Sequence, residues 1–441
     1  MTSLETADGH RANAGAPERP ARMLPIVLAG SIGTVIEWYD FLIYGTAAAL
    51  VFNSQFFPTL DPLAATLASL ATYAVGFFAR PFGGILFGHF GDRQGRKATL
   101  MATMLIMALG TFGIGLLPNY SQIGIWAPIL LVVLRLIQGI GLGGEWGGAS
   151  LMVLEHAPRD RRGFYGSIVQ VGFPLGLILS SGAFTLVSMM MSDKDFSTWG
   201  WRLPFLASIV LLAVGWFVRV RIPETPSFNS LKQSGNVAKS PLWEVLSRDW
   251  RRFLIALGLK ISEVSWVYIL TVFAVVYATT KLQMPKGQLL QAITIAAAIE
   301  LVTIPFFGWL SDRIGRRPFF FAGVLFTVLF AFPLFWLLDT KDPLIVGAAF
   351  AVALSFGHGL MFAMESTYFP ELFGARVRYT GASFGFQASA AIGGGLAPIL
   401  ATQLSATFGG TAGVSLLLIG LALITLVATV CARETLGETL D

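Results

Sequence analysis

Ionisable side chains buried in long apolar runs are the residues of this 441-residue sequence that could do chemistry. A charged side chain inside hydrocarbon costs on the order of 2.5–3.5 kcal/mol even on lenient scales, so it should face a cavity or a partner. Ion binding and proton transfer are the chemistry such groups support, and structural ion pairs that lock helices together are the alternative for each one. The residues are Glu37, Asp40, Arg80, Arg135, Glu145, Lys260, Glu263, Glu300, His358 and Glu365.

Glu37 and Asp40 stand three residues apart and Tyr44 follows four later, so a helix places them on one face. Arg135, in another apolar run, lies at a similar depth, which permits a carboxylate–guanidinium contact. The carboxylate would stay ionised until an anionic substrate took over the guanidinium, which binds carboxylates at two points. It would then take up a proton. We predict Asp40 as the proton carrier, Glu37 as the second choice, and Arg135 as the substrate or coupling cation.

The second half of the chain has its own pair, Lys260 and Glu263, three residues apart. The two could simply neutralise each other, or Lys260 could be a second anchor for an acid. Trp266 follows, and an aromatic ring can wall a binding cavity. A lone histidine such as His358 could bind substrate or only a backbone carbonyl. The other predicted substrate-binding residues are Tyr39, Tyr44, Gln138, Gln170 and Gln387.

Twelve apolar runs, each near the ~20 residues that cross a bilayer, must position these side chains. With 55% hydrophobic and 12% charged residues and a mean hydropathy of +0.70, a water-soluble globule is excluded. One cysteine, Cys431, excludes a disulfide framework or a cysteine metal site. The predicted spans are 24–51, 63–89, 98–117, 127–154, 164–190, 201–220, 253–279, 288–310, 319–338, 343–367, 379–404 and 411–431.

An internal repeat divides the chain into two halves. Gly88-His-Phe-Gly-Asp-Arg-Gln-Gly-Arg-Lys97 recurs 220 residues later as Gly308-Trp-Leu-Ser-Asp-Arg-Ile-Gly-Arg-Arg317, each copy after the second span of its half. Transporters are often built from such repeats, with substrate bound between them. We predict an all-α membrane protein with six-helix bundles at 23–220 and 253–431, a disordered tail at 1–22, a linker at 221–252 and a short tail at 432–441.

The distribution of positive charge predicts the orientation. Of the 30 Lys and Arg residues, 22 lie before the first span, after the last, or after even-numbered spans. Cytoplasmic loops collect Lys and Arg, so both termini are predicted to be cytoplasmic in an inner or plasma membrane. The same distribution explains the pI near 9.4 without a nucleic-acid partner.

The repeated loop resembles the signature of the major facilitator superfamily, and Arg135-Leu-Ile-Gln-Gly-Ile-Gly141 resembles its span-4 element. Within it the chain is similar to the metabolite:proton symporter family, nearest to the shikimate-type branch. Four motifs carry this second resemblance. They are Glu37-Trp-Tyr-Asp-Phe41, Phe78-Ala-Arg-Pro-Phe-Gly-Gly84, Gly143-Gly-Glu-Trp-Gly-Gly148 and Trp199-Gly-Trp-Arg-Leu-Pro-Phe205.

The resemblance implies a twelve-helix fold, alternating access and charge contacts that hold one access state. Those contacts would be formed by Asp92, Arg93, Arg96, Glu145, Asp312, Arg313 and Arg316. It also implies proton symport of a small organic acid such as shikimate. We expect a functional monomer without cofactors. Symport is favoured over antiport because Gly172-Phe-Pro-Leu-Gly176 fits the antiporter element poorly.

The sequence also bears on three other functions. An importer of zwitterionic compatible solutes is the alternative, although osmosensing relatives carry a C-terminal coiled coil that is not seen here. A membrane enzyme would need a clustered metal or nucleophilic site, and the four His and one Cys are far apart. A sensor without flux would need a signalling domain, and the short tails offer none. We therefore predict neither catalytic nor metal-binding residues.

Overall fold

A computed structural model describes residues 23–94, 96–220, 241–374 and 377–438, and the elements in this part of the chain are helical. Twelve long helices follow one another along the chain. They are α1 Met23–Leu50, α2 Pro62–Gln94, α3 Arg96–Leu116, α4 Trp126–His156, α5 Arg159–Met190, α6 Arg202–Val220, α7 Trp250–Thr280, α8 Lys286–Ile314, α9 Arg317–Asp339, α10 Pro343–Leu372, α11 Thr380–Phe408 and α12 Ala412–Cys431.

These helices coincide with the twelve predicted spans, so the predicted fold class is confirmed. Within the described ranges, ten of the twelve helices are each long and apolar enough to cross a membrane. The two exceptions are α6 and α3. Helix α6 is joined to Asp193–Gly200 by a 51° bend, and α3 has a shorter apolar stretch, Met101–Leu116. Helices suit this environment because they satisfy every backbone polar group internally.

Each half packs within itself before the halves meet. In the first half α1 packs on α5, and α4 packs on α2 and α3. In the second half α12 packs on α7 and α9, and α8 packs on α10. The halves contact each other through α5 against α8 and α10, and through α2 against α11.

Large apolar side chains cover the outside of the bundle. Phe82, Val302, Leu329 and Val427 are each at least 64% exposed. In water such a surface would aggregate, whereas lipid tails are a suitable solvent for it. The exposed side chains are therefore the lipid-facing surface, and polar side chains are collected inside.

Glycines let α2 and α4 approach almost to backbone contact. A Cβ on Gly83 would lie 2.7 Å from the Ile140 carbonyl carbon, and one on Gly143 would lie 2.5 Å from the Gly84 nitrogen. Neither backbone can move aside cheaply. Small residues are how membrane helices gain close van der Waals contact, and here they hold the helix that carries Arg135.

We expect Gly143→Ala to lower the free energy of unfolding by about 1–3 kcal/mol, because the new methyl group forces α2 and α4 apart. Gly148→Ala, in the same helix α4 but with nothing within 4 Å of its added Cβ, should be neutral or slightly stabilising. Detergent-solubilised protein would be unfolded thermally and followed by circular dichroism. Equal midpoints for the two variants would contradict the close-packing argument.

The predicted segments outside the helices are only partly described. Residues 1–22 and 221–240 lie outside the described residues, and the end of the predicted linker holds a short helix, Pro241–Arg248. The chain after α12 is held by Glu434, whose carboxylate accepts hydrogen bonds from the backbone N–H groups of Arg316 and Arg317, both at 2.9 Å. The predicted boundaries between tails, bundles and linker stay predictions.

Candidate substrate and proton site

Arg135 lies fully buried in α4, at the centre of the first half. One guanidinium nitrogen, Nη1, donates to the side-chain oxygen of Gln138, one helical turn away. Nε and Nη2 have no hydrogen-bond acceptor. The guanidinium lies 4.2 Å from the ring centroid of Phe41 and 4.1 Å from that of Tyr44. It is thus an aromatic-caged cation with donors to spare.

A second buried guanidinium, that of Arg80 in α2, shares the same ring. Its carbon lies 3.9 Å from the centroid of Phe41 and 4.7 Å from that of Phe77. Among the side chains that the structure describes, neither Arg80 nor Arg135 has a carboxylate within 4.0 Å. Cation–π contacts hold the two charges in place without neutralising them. Among the described side chains of the first half, these two guanidinium groups therefore lack a direct carboxylate partner.

Asp40 is buried in α1, on the other side of Gln138. The Gln138 amide donates to the Asp40 backbone carbonyl at 3.3 Å and to the Thr111 hydroxyl at 2.7 Å. Thr111 lies beside the Asp40 carboxylate but donates its own hydrogen to the Met107 carbonyl at 3.0 Å. Neither carboxylate oxygen of Asp40 accepts a hydrogen bond by distance and angle.

The direct carboxylate–guanidinium contact that the sequence allowed is not formed in this conformation. Gln138 instead contacts both residues: its side-chain oxygen accepts from the Arg135 guanidinium, and its amide nitrogen donates to the backbone carbonyl of Asp40. Their shared contact with Gln138 brings the two residues close together, as the predicted similar depth requires. The spacing of the residues gave no sign of this intermediate amide.

The second half holds a chain of buried titratable groups. Lys260 on α7 donates to Glu263 at 2.8 Å and to Glu365 of α10 at 2.6 Å. The two ring nitrogens of His358 face different carboxylates. Nε2 lies 3.0 Å from Glu263, and Nδ1 lies 2.5 Å from Glu300 of α8. The predicted pairing of Lys260 with Glu263 is present, but it is one link of a five-residue cluster.

Three predicted substrate-binding side chains are engaged within their own half. The Tyr39 hydroxyl donates to the Pro204 carbonyl at 2.6 Å, and the Tyr44 hydroxyl donates to Thr72 at 2.6 Å. The Trp266 indole N–H donates to the Ala353 carbonyl at 2.9 Å and so ties α7 to α10. Of the three, Tyr39 lies near the buried carboxyl of Asp40, and Tyr44 lies under the guanidinium of Arg135.

The two predicted glutamines lie near the boundary between the halves. Gln170 of α5 accepts from the Trp146 indole at 3.3 Å and donates to the Phe362 carbonyl of α10 at 3.0 Å. Gln387 of α11 is buried, and its side-chain oxygen has no donor. Gln170 therefore bridges the two halves, and Gln387 has an acceptor available for a ligand.

Aromatic rings close the space between the halves. Trp146 stacks on Phe386 with centroids 3.9 Å apart, and Phe77 meets Tyr268 at 5.0 Å. A cavity lined by residues of both halves, including Thr271, has a volume of about 10 Å³. That volume is about the size of one water molecule. At this point between the halves the space is therefore too small for an organic substrate.

Asp312, at the end of α8, joins the halves where α5 begins. Its carboxylate accepts hydrogen bonds from the backbone N–H groups of Gly163 at 2.7 Å and Phe164 at 2.9 Å. A carboxylate at a helix N-terminus is favoured by the unpaired N–H groups and the helix dipole. Arg316 holds the same carboxylate at 2.9 Å. Asp312 thus cross-links the two halves at one end of the bundle.

The other predicted gate residues differ in position. Arg316 also lies 3.6 Å from Glu371 of α10, whereas Arg313 is exposed and stacks on Trp309 of its own helix. Glu145 is buried at the break in α4, near Asp40. The side chains of Asp92, Arg93 and Arg96 lie outside the described residues, so their predicted role stays a prediction.

We expect Asp312→Ala to weaken closure at this end of the bundle and to slow uptake about 10- to 100-fold. A buried pair of charge-assisted hydrogen bonds is worth about 1.5–3 kcal/mol. Asp160→Ala, an exposed carboxylate two residues before Arg162, is the matched control.

Alkylation of a buried cysteine between the halves would report this opening. Thr367 of α10 suits the purpose, because its side chain is fully buried and donates across the halves to the Arg162 carbonyl at 3.2 Å. Cysteine is close to threonine in size, and a Cys431→Ser background removes the natural thiol. Labelling of Thr367→Cys should be faster in Asp312→Ala, and unchanged labelling would contradict the cross-linking role.

Twelve helices in two halves that close around buried charges define a membrane transporter. The model of the Major Facilitator Superfamily matches residues 30–387 and 268–436. The chain belongs to this superfamily, and it is a multi-pass membrane transporter rather than an enzyme.

Curated relatives match over most of their length. The shikimate transporter of Escherichia coli (strain K12) is 44% identical over 87% of this chain and 88% of its own. The inner membrane metabolite transport protein YhjE of the same strain is 41% identical, over 94% and 95%. A proline/betaine transporter of Salmonella typhimurium (strain LT2) is 34% identical, over 94% and 84%.

A solved structure confirms the fold at low sequence identity. The crystal structure of a D-xylose-proton symporter superposes with a TM-score of 0.71 at 19% identity, covering 95% of this chain and 100% of that one. The predicted bundle is therefore confirmed, and the family model confirms the predicted membership.

The sequence had indicated which charged side chains are buried, but not which of them contact one another. Arg80, Glu300 and Glu365 were recognised as costly intramembrane charges and were not assigned to the site, although Arg80 shares the Arg135 cage and the two glutamates complete the Lys260–His358 cluster. Their burial in apolar runs was the signal. Phe173, whose ring lies 4.5 Å from that of His358, gave no signal at all.

Proposed function

We propose that this transporter imports a small organic acid together with protons, by alternating access of its two halves. The observation that carries the proposal is the buried guanidinium of Arg135, with two nitrogens that lack acceptors and with no carboxylate partner among the described side chains. Leaving such donors unpaired inside a protein is costly, and an anionic ligand would satisfy them.

Arg80, together with Arg135, supports an organic acid as the ligand. Two guanidinium groups around one phenylalanine ring offer more positive charge than a neutral sugar needs. Gln138, Gln170 and Gln387 add amide groups that can read hydroxyl groups on the substrate. The shikimate transporter is a relative whose name fits this chemistry.

Asp40 supports proton coupling. An ionised carboxylate without donors is costly in a buried site. Gln138 links the Asp40 backbone to Arg135, so a substrate that displaces Gln138 from the guanidinium would also change the surroundings of Asp40. We assign Asp40 as the proton carrier, with Glu37 as the second choice.

The alternative is a zwitterionic compatible solute such as proline or betaine. Proline/betaine transporters at 34% identity favour it. Aromatic rings around the site could also receive a quaternary ammonium group. In this structure, however, cations of the protein already occupy the faces of Phe41 and Tyr44.

Uptake into proteoliposomes with an imposed pH gradient tests both the organic-acid proposal and the compatible-solute alternative. Shikimate, dicarboxylates, aromatic acids and betaines would be offered at fixed osmolality, and then at raised osmolality without a pH gradient. Accumulation of an acid that disappears when the gradient is collapsed supports the proposal. Uptake of betaine that follows osmolality and ignores the gradient would replace it with the alternative.

The setting of the transporter is also part of the proposal. We infer that it lies in an inner or plasma membrane with both termini in the cytoplasm, and that one chain is the functional unit. The excess of Lys and Arg on one side of the spans supports that orientation. Asp312 and Arg316 would then close the cytoplasmic side.

A further inference from the structure

The Glu263–His358–Glu300 triad demands one proton more than a neutral histidine supplies. A neutral imidazole has a single N–H and donates only one hydrogen bond. Both ring nitrogens nevertheless lie within hydrogen-bond distance of a carboxylate oxygen, at 3.0 Å and 2.5 Å. Either the imidazole carries two protons or one of the two carboxyl groups carries one.

The surroundings keep that proton inside. All three side chains are at most 2% exposed. The groups facing the triad are Lys260 and Tyr268 from α7 and Glu365 from α10. With three carboxyl groups against one lysine, the cluster would keep excess negative charge without the extra proton. Burying such uncompensated charge costs several kcal/mol.

Phe173 is the part of the cover that belongs to the opposite half. Its ring centroid lies 4.5 Å from that of His358 and 5.5 Å from that of Phe362. Phe362 in turn stacks on His358 at 4.4 Å. Because Phe173 is on α5 and His358 is on α10, separating the halves must lift this ring off the imidazole.

We propose that Glu263, His358 and Glu300 form a second proton-binding site, separate from Asp40, and that Phe173 is its lid. In the conformation of this structure the lid shields the bound proton from water. When the halves part, the ring leaves and the proton exchanges. The inference rests on the proposed function and deepens it, since it adds a proton-binding site to the same transport cycle, in which Asp40 remains the group that couples proton movement to the acid.

Proton entry into liposomes without any substrate tests the lid. The protein would be reconstituted with internal pyranine, and an acid pulse applied with valinomycin and potassium to clamp the voltage. Phe173→Ala should admit protons at least about five times faster than wild type, because the uncovered triad exchanges with water in both access states. Phe184→Ala, an equally buried phenylalanine of the same helix that contacts Phe196 instead, should match wild type.

A double variant separates proton binding from loose packing. Phe173→Ala combined with His358→Gln should return the rate to that of wild type, since the site that carries the proton is gone. A Phe173→Ala rate equal to wild type, or a double variant that leaks as fast as Phe173→Ala, would overturn the proposal. If Phe173→Ala does not reach the membrane folded, Phe173→Leu is judged by the same two comparisons.

The experiment on acid uptake and the experiment on proton entry have independent outcomes. The proton assay contains no organic acid, so it reports the triad whether or not a pH gradient drives acid uptake. Failure to accumulate any acid would count against the substrate, and a silent Phe173→Ala would count against the second proton site.

Discussion

Arg135→Lys should reduce the initial rate of acid uptake by about 100-fold or more, equivalent to about 2.7 kcal/mol. Lysine keeps the charge but loses the planar fork, which binds a carboxylate at two points and stacks on aromatic rings. The guanidinium here uses both properties, since it contacts Gln138, Phe41 and Tyr44 at once. The measurement is initial uptake of the acid found in the proteoliposome screen, over a range of concentrations.

Arg202→Lys is the matched control for this change. Arg202 also stacks on an aromatic ring, Trp201, at 4.4 Å, and it donates to the carbonyls of Thr198 and Leu117. It lies at the start of α6, away from the Arg135 cage, and its replacement should leave uptake near wild type. Normal saturation in Arg135→Lys would remove Arg135 as the anion anchor and direct attention to Arg80.

The fold could be predicted from the sequence because the bilayer imposes a simple rule. Each span must be a helix of about 20 apolar residues, so the hydropathy pattern fixes existence and approximate length. The 220-residue repeat indicated the division into halves. Details that depend on neighbouring helices were not visible, such as the break in α4 between Leu142 and Trp146 or the bend before α6.

The site was harder to predict from the sequence than the fold, because most of its contacts join residues of different helices. A spacing of three residues correctly indicated that Lys260 can reach Glu263, and the same rule fits the contact of Arg135 with Gln138. No local spacing relates His358 to Glu300, 58 residues earlier, or Lys260 to Glu365, 105 residues later. Such contacts depend on how α7, α8 and α10 pack.

The two halves arrange their buried charges differently, and this difference fits coupled transport. The first half has the guanidinium groups of Arg80 and Arg135 without carboxylate partners among the described side chains. The second half has three glutamates around Lys260 and His358. The guanidinium groups of the first half would bind an organic anion, and a proton could bind Asp40 of the same half or the glutamate cluster of the second, so one closure of the halves can enclose both.

Asp40→Asn should abolish accumulation against a gradient while leaving exchange across the membrane. An asparagine keeps the shape and the backbone carbonyl that Gln138 contacts, but it cannot take up a proton. The steady-state ratio of inside to outside acid under an imposed pH gradient should fall to about 1. Counterflow of labelled acid, which needs no net proton movement, should stay within about threefold of wild type, a difference of about 0.6 kcal/mol.

Two further variants decide between the carboxylates of α1. Asp339→Asn, at the C-terminal end of α9 and bonded to the Tyr277 hydroxyl at 2.7 Å, is the matched control and should accumulate normally. Glu37→Gln should also accumulate if Asp40 is the carrier. Accumulation that survives in Asp40→Asn and is lost in Glu37→Gln would transfer the role to Glu37. Survival in both would leave the Glu263–His358–Glu300 triad as the remaining candidate for coupling, because each variant removes the one proton its carboxyl could carry.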